Sequence, residues 1–300
     1  MTDIRAKLAE KISARYANIC GDENEFASSL LQPKPKSFRV NNLKTSVQHV
    51  IQRMKSYGFA IEPVSWHDSA FTTTGDIGKT LEHFLGHIYL QELSSMIPIL
   101  VLQPSDSLLD CCAAPGSKTT QAADTMHNRG LIVANDISFA RTKILRFHLE
   151  KYGIMNTYVT EYDIRRFPSS SLRFNKILLD APCSSESSVY KSTIWSEKRI
   201  FGFAKLQKQM ILKAFDMLEP GGTLVYSTCT FAPEENESVV QHLLNNRECN
   251  LEKIQIPELE LSQGISSWKK ERYSELQKCA RVWPHIHGME GFFVAKITKP

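Results

Sequence analysis

Hydrophobic residues recur along this chain with two different periods. Over the first sixteen residues Ile4, Leu8, Ile12 and Tyr16 fall on one helical face, with Thr2 available as a cap. Gln32-Pro33-Lys34-Pro35-Lys36 then forces an extended connector. Beyond it the pattern reads as a strand over 37–41, a helix over 47–57 capped by Thr45 or Ser46, Gly58, and a strand over 59–66. This predicts a small βαβ-like, α+β unit. Two readings stand for it, an RNA-recognition-like lobe or a packing appendage, because the paired aromatic motifs of an RNA-binding sheet are missing.

After about residue 90 strands and helices alternate. Strands are predicted over 107–112, 130–135, 157–160, 176–180 and 223–228, and helices from near Lys118, Phe139, Lys198 and Pro233. Several strands are near-continuous apolar runs, as expected when helices cover both faces of a parallel sheet. The fold class that follows is α/β, a doubly wound Rossmann-like sheet over residues 91–300 preceded by the small lobe within residues 1–90. In such a sheet ligands bind outside the carboxyl ends of the strands.

Composition changes this picture little. The 300 residues are 42% hydrophobic and 23% charged, ordinary globular values. A formal net charge of +4 favours a polyanionic partner only mildly. Seven cysteines, an odd number without paired short spacings, point to reduced thiols in a cytoplasmic protein and away from zinc. The longest apolar runs, such as 96–102, are too short to span a bilayer, so a soluble protein, expected to be a monomer, with no membrane partner and no metal is predicted.

Candidate chemistry lies at the strand ends. Leu109-Asp110-Cys111-Cys112-Ala113-Ala114-Pro115-Gly116-Ser117-Lys118-Thr119 leaves the first strand of the large sheet and opens a helix, so its small residues and free N–H groups admit a ligand closely. Its glycine–lysine spacing is not that of a P-loop. The next strand ends at Asp136, suited to ribose hydroxyls, and the one after leads to Asp163, suited to an adenine amino group. Three acid-tipped strand ends fit S-adenosylmethionine better than a dinucleotide. The other reading of Asp136 and Asp163 is that they cap the following helix or turn.

Two further strand ends carry thiols, Cys183 after Asp180-Ala-Pro182 and Cys229 after Tyr226-Ser-Thr228. With Asp180 they suggest chemistry on a pyrimidine ring, but the residues alone do not rank the two thiols. Cys20, Cys111, Cys249 and Cys279 read as packing residues, and Cys112 as packing beside the ligand.

These segments, Asp-Cys-Cys-Ala-Ala-Pro-Gly-Ser-Lys-Thr, Asp-Ala-Pro-Cys-Ser and Ser-Thr-Cys-Thr-Phe-Ala-Pro-Glu-Glu-Asn-Glu, together resemble the Nol/Nop/Sun (Fmu) family of RNA cytosine-5 methyltransferases. Arg39-Val-Asn41, the stretch around Gln91-Glu92 and the closing Arg281-Val-Trp-Pro284-His285 extend the resemblance over about residues 35–298. It implies that the loop Ala113 to Lys118 with Asp136, Arg141, Asp163 and Asp180 surrounds S-adenosylmethionine. It also implies that Cys229 is the nucleophile and that Cys183 aids product release. Ser117 and Ser185 stand where the family usually has glycine, and a serine at 117 resists positive φ.

A cysteine thiolate adding to C6 of cytosine makes C5 nucleophilic. Helix dipole at Pro233 and Lys118 are the expected activators of Cys229. Lys118 has a second reading as a solvated first-turn lysine. Asp180 steadies the ring, donating if protonated or accepting if not, and Cys183 or a water takes the C5 proton. Glu234, Glu235 and Glu237 are expected to stabilise the first turn of the helix at 233, with Asn236 shaping the pocket. Aromatic residues interleaved with bases from Tyr190 to Phe201 and from Trp268 to Tyr273 read as RNA contacts or as solvated faces. His285 is either near the site or a core histidine. The expected substrate is tRNA, with rRNA as the alternative. The rival functions are DNA cytosine-5 methylation and a catalytically silent RNA-binding or assembly factor.

Overall fold

A computed structural model of the chain describes residues 2–168, 172–189 and 195–300. Helices α1 (Thr2–Cys20) and α2 (Glu23–Leu31) lead into β1 (Lys36–Val40), α3 (Val47–Ser56), β2 (Ile61–Pro63), β3 (Ala70–Thr73), α4 (Leu81–Phe84) and β4 (Ile88–Leu90). The Ser46 side chain caps α3, accepting from His49 N. The small sheet has the order β2-β3-β1-β4 with every pairing antiparallel. β1 and β2 are therefore parallel to each other but separated by β3, so the expected βαβ unit is a split one, within a β-α-β-β-α-β arrangement. The second strand is shorter than predicted. Phe38, Val40, Val50, Met54, Phe71, Ile77 and Ile88 form its core.

The larger unit contains α5 (Ile97–Leu102), β5 (Ser107–Asp110), α6 (Ser117–Thr125), β6 (Leu131–Asn135), α7 (Phe139–Tyr152), β7 (Thr157–Thr160), β8 (Phe174–Asp180), α8 (Glu197–Asp216), β9 (Leu218–Thr228) and α9 (Glu237–Asn246). Strands β7, β6, β5, β8 and β9 pair parallel in that order. The order reverses between β5 and β8, which fixes where a ligand crevice opens. Along β8 Ile177 and Leu179 enter the core on one face while Leu178 enters the core on the other. That alternation is why the strand reads as one apolar run.

The chain then adds the short strands β10 (Asn250–Glu252), β11 (Ser262–Gln263), β12 (Ser267–Trp268) and β13 (Glu271–Arg272), followed by β14 (Ala280–Val282), α10 (Pro284–His287) and β15 (Phe292–Thr298). β15 runs antiparallel beside β9 from Phe293↔Thr228 to Thr298↔Thr223 and covers the edge that β9 would otherwise expose. Neither β14 nor β15 was expected from the sequence pattern.

Helices α1 and α2 share their core with the large sheet. Tyr16 and Phe26 pack on Phe231, and Phe26 also meets Trp283 edge-on with ring centroids 5.3 Å apart. His285, half-buried, packs beside Phe26 with Nε2 2.8 Å from the Cys20 carbonyl oxygen, while its Nδ1 has no partner among the described residues. Cys20 and Cys279 are buried in the same core.

One buried ion pair joins the small sheet to the large unit. Arg39 on β1 donates to Asp124 of α6 at 3.1 Å, to Thr120 Oγ1 at 3.2 Å and to Gln91 Oε1 at 3.4 Å. Asn41 donates to the carbonyl oxygens of Gly86 and Tyr152. Arg39 is almost wholly buried, so truncating it strands the Asp124 carboxylate away from water. Arg39→Ala is expected to cost about 3–5 kcal/mol, read as a lowered urea midpoint, and Arg39→Met with Asp124→Leu to recover most of that loss.

Candidate active site

Parallel pairing of β8 with β9 puts Asp180 opposite Ser227, so the loops leaving both strands emerge side by side. Cys183 and Cys229 sit on those loops with their sulfurs 3.2 Å apart, both as free thiols. The hydrogen bond with Cys183 pulls the Cys229 thiol below its ordinary value, helped by the Ser185 hydroxyl and Lys118 and opposed by burial and Asp180. That same hydrogen bond, together with burial, pushes Cys183 well up. One proton shared by two thiols leaves Cys229 as the readier thiolate.

Asp180 is held by two donors, Lys118 Nζ at 2.7 Å and Ser227 Oγ at 2.7 Å, and Lys118 also donates to Ser95 Oγ at 3.1 Å. Lys118 is therefore a buried ion-pair partner rather than a solvated lysine. Its outer face lies 5.3 Å from the Phe292 ring centre.

Two clefts meet here. One, of about 260 Å³, is lined by Cys112, Ala114, Asp136, Arg141 and Asp163 and by the apolar side chains Ile137, Ile164, Leu206 and Met210. The other, of about 340 Å³, is lined by Pro115, Ser117, Lys118, Glu92, Glu290 and Phe292. Asp180, Ala181 and Cys229 line both. Ala113 and Gly116 line neither. Gly116 instead supplies the φ of +111° that turns the loop into α6, where an added Cβ would stand 2.9 Å from Leu145. Ser117 begins the helix and is not among the residues with positive φ, so the serine there strains nothing.

Asp136 is buried and accepts from Ala114 N at 3.3 Å and Ser138 N at 3.0 Å, and Arg141 ion-pairs with it at 3.3 Å while also donating to the Ala114 carbonyl oxygen. Ser138, not Asp136, caps α7. Asp163 does cap the short turn at Ile164–Arg166, and Arg165, bonded to its carboxylate, holds it below the usual carboxylate range. Cys112 lies on the cleft wall, its thiol pushed well up by burial, as is Cys111. Asp110, at the end of β5, is pushed up to about 7 by burial.

Of the two activators expected of Cys229, Lys118 acts in the expected direction and the helix N-terminus is corrected. The helix after Cys229 starts at Glu237, not Pro233, because residues 229–236 are used in turns, so the N-terminus of that helix does not adjoin the sulfur. The glutamates of that stretch also do different work. Glu235 points inward and accepts from Ser184 N at 3.0 Å and Gln207 Nε2 at 2.9 Å, with burial raising it to about 8. Glu237 pairs with buried Arg281. Glu234 accepts from Arg15, Trp268 and Lys269. Asn236 braces the thiol loop, its Oδ1 accepting from Thr228 Oγ1 at 2.5 Å and its Nδ2 donating to the Thr230 carbonyl oxygen at 2.9 Å.

A carboxylate that the sequence reading did not single out organises the same loop. Glu186 accepts from Tyr16 Oη, Trp195 Nε1 at 2.6 Å, Thr230 Oγ1 at 2.7 Å and Phe231 N at 3.2 Å. Its only sequence signal was a glutamate two residues past a strand-end cysteine motif. Of the aromatic and basic stretches, residues 190–194 lie outside the described residues. Trp195 and the Trp268-Lys269 turn come together with Lys11 and Arg15 of α1 around a cavity of about 940 Å³. Lys11 sits 4.9 Å from the Trp195 ring centre and Lys269 5.9 Å from that of Phe201. Among the described residues no group of three metal-ligating side chains is found, and no helix is long and apolar enough to cross a membrane.

Residues 97–298 match the family described as 16S rRNA methyltransferase RsmB/F, and residues 8–93 match the N-terminal domain of 16S rRNA methyltransferase RsmF. The chain is 40% identical to the tRNA (cytosine(49)-C(5))-methyltransferase of Pyrococcus abyssi, covering 98% of this chain and 97% of that one. It is 38% identical to the ribosomal RNA small subunit methyltransferase F of Vibrio parahaemolyticus, covering 92% of this chain but 59% of that one. A crystal structure of a methyltransferase homologue from Pyrococcus horikoshii superposes with a TM-score of 0.86 at 34% identity, covering 96% and 94% of the two chains. With its paired thiols at the crevice of a doubly wound sheet, the chain belongs to the RsmB/F methyltransferases of the Nol/Nop/Sun family, the RNA cytosine-5 methyltransferases.

Proposed function

We propose that this chain methylates C5 of a cytosine in tRNA through a covalent bond between Cys229 and C6, with Cys183 aiding release of the product. The observation that carries the reading is the thiol pair, 3.2 Å apart, where the two clefts meet. The tRNA assignment rests on the Pyrococcus abyssi relative, which the chain matches end to end. An rRNA substrate is the second reading, favoured by the match of residues 8–93 to the N-terminal domain of the rRNA enzyme. The division into an RNA-facing lobe within residues 1–90 and a methyltransferase domain, residues 91–300, is part of the same proposal, with α1 and α2 packed into the core of the larger unit.

The 260 Å³ cleft suits S-adenosylmethionine because its chemistry is that of a nucleoside site, with apolar walls and strand-end acids. Asp136 would take the ribose, Asp163 the adenine edge, and the loop from Cys112 to Lys118, with Arg141 and Asp180, would enclose the remainder. The bound cofactor supplies an electrophilic methyl group.

On the substrate side the Cys229 thiolate adds to C6 and sends an electron pair toward C5, which becomes the nucleophile. Asp180, with Lys118 and Ser227 already donating to it, presents acceptor lone pairs to the exocyclic amino group, and Lys118 offsets charge developing on the ring. Once C5 is methylated its proton leaves to a base, a water or Cys183, and the electron pair expels the Cys229 sulfur. Where water is the base, the Cys183 thiol, 3.2 Å from that sulfur, donates to it as it departs.

Flanking RNA would cross the cavity between α1 and the Trp268-Lys269 turn, where indole rings and cations combine stacking with phosphate contact. Glu186 links that wall, through Trp195, to Thr230 beside the nucleophile.

Two experiments test the proposal. Cys229→Ala should lower methyl transfer to tRNA by at least about a thousandfold, and Cys183→Ala should accumulate an RNA–protein adduct that survives denaturing electrophoresis. An active Cys229→Ala protein would remove the mechanism. The double change Lys11→Ala, Lys269→Ala should raise KM for RNA by roughly three- to tenfold with kcat kept, and reduce the slope of log affinity against log salt by about 1 to 2.

A further inference from the structure

Ser185 stands in the left-handed region, φ +59° and ψ +43°, which a residue with a Cβ enters only at a cost. The hydroxyl it carries there lies beside both thiols, accepting from the Cys229 S–H at 3.5 Å while that thiol is protonated, standing 3.9 Å from Cys183 Sγ, and donating to the Cys183 carbonyl oxygen at 3.4 Å. That last contact is long for an O–H donor, so the proton is free to turn toward a better acceptor. A thiolate at Cys229 is that acceptor, since a bond to an ionised group is stronger than one to a neutral oxygen.

We infer that Ser185 is a positioning residue of this site, its hydroxyl acting as a second donor that holds Cys229 as a thiolate alongside the Cys183 S–H. The inference rests on Cys229 being the nucleophile. Ser185 also lines the cofactor-side cleft together with both thiols, so the donor reaches the sulfur from that side. The two charged groups facing Cys229 act in opposite directions. Lys118 from α6 favours the thiolate, Asp180 from the end of β8 opposes it, and the two are bound to each other. Glu92 and Glu290 lie on the adjoining cleft. With Lys118 spent on Asp180, neutral donors carry the stabilisation, and a glycine at 185 would leave one of the two.

The test is iodoacetamide alkylation across pH, followed on the Cys229 peptide by mass spectrometry, with the pH profile of kcat/KM alongside. Ser185→Ala removes the hydroxyl and keeps the backbone cost, while Ser185→Gly removes both. Both variants are expected to slow Cys229 alkylation at neutral pH by about tenfold and to move both profiles to higher pH. Unchanged profiles in both variants would overturn the inference, as would a shift in Ser185→Ala that Ser185→Gly restores, which would assign the effect to the backbone. A normal alkylation shift together with an active Cys229→Ala protein would instead sink the nucleophile assignment and leave the hydrogen bond standing.

Discussion

The site depends on one register, the parallel pairing of β8 with β9 that sets Asp180 opposite Ser227. From that alignment the two chain segments leave the sheet together and must turn within a few residues of each other. Ser184 Oγ and Thr230 Oγ1 meet at 2.8 Å across the gap, Glu186 reaches Thr230 and Phe231 from one loop, and Glu235 reaches Ser184 from the other. Each loop therefore satisfies backbone or hydroxyl donors of its neighbour with a buried carboxylate. Two such crossed anchors restrict both cysteines, which is how two sulfurs come to lie 3.2 Å apart without a covalent link.

Holding a thiolate in that place is an electrostatic problem, because the site is buried and the nearest full charges are an ion pair. On the proposed mechanism the protein would meet it with oriented neutral donors. Placing Lys118 on Asp180 fixes the carboxylate but reduces what the ammonium does for the sulfur. In the proposed mechanism the proton of Cys183 fills that role, so one residue would serve both the start and the end of the reaction.

The N-terminal segments serve this geometry from outside. Tyr16 of α1 donates to Glu186, and Arg15 pairs with Glu234, so the first helix buttresses both thiol loops. The small sheet is fastened through Arg39 to α6, the helix that carries Lys118. A shift of either element would be felt at the sulfurs through buried polar contacts that cannot be exchanged for water.

The apolar runs, the strand-end cysteines and the acids at 136, 163 and 180 were legible in the sequence, because strand period, turn chemistry and the rule that ligands bind at carboxyl strand ends are local or topological facts. Strand β3 inserting between β1 and β2, the antiparallel β15 beside β9, and the late start of α9 at Glu237 were not, since each is settled by which neighbour a segment pairs with. The work of Glu186 and Glu235 was hidden for the same reason. A glutamate near a helix start reads as a surface cap, and only the closed fold removes the water that would make it one. By itself the sequence determined which chemical groups the site holds and which strands deliver them. The tertiary structure alone decided which thiol is the more acidic, because a thiol's acidity is fixed by what surrounds it at a few ångströms, and chain spacing does not encode that.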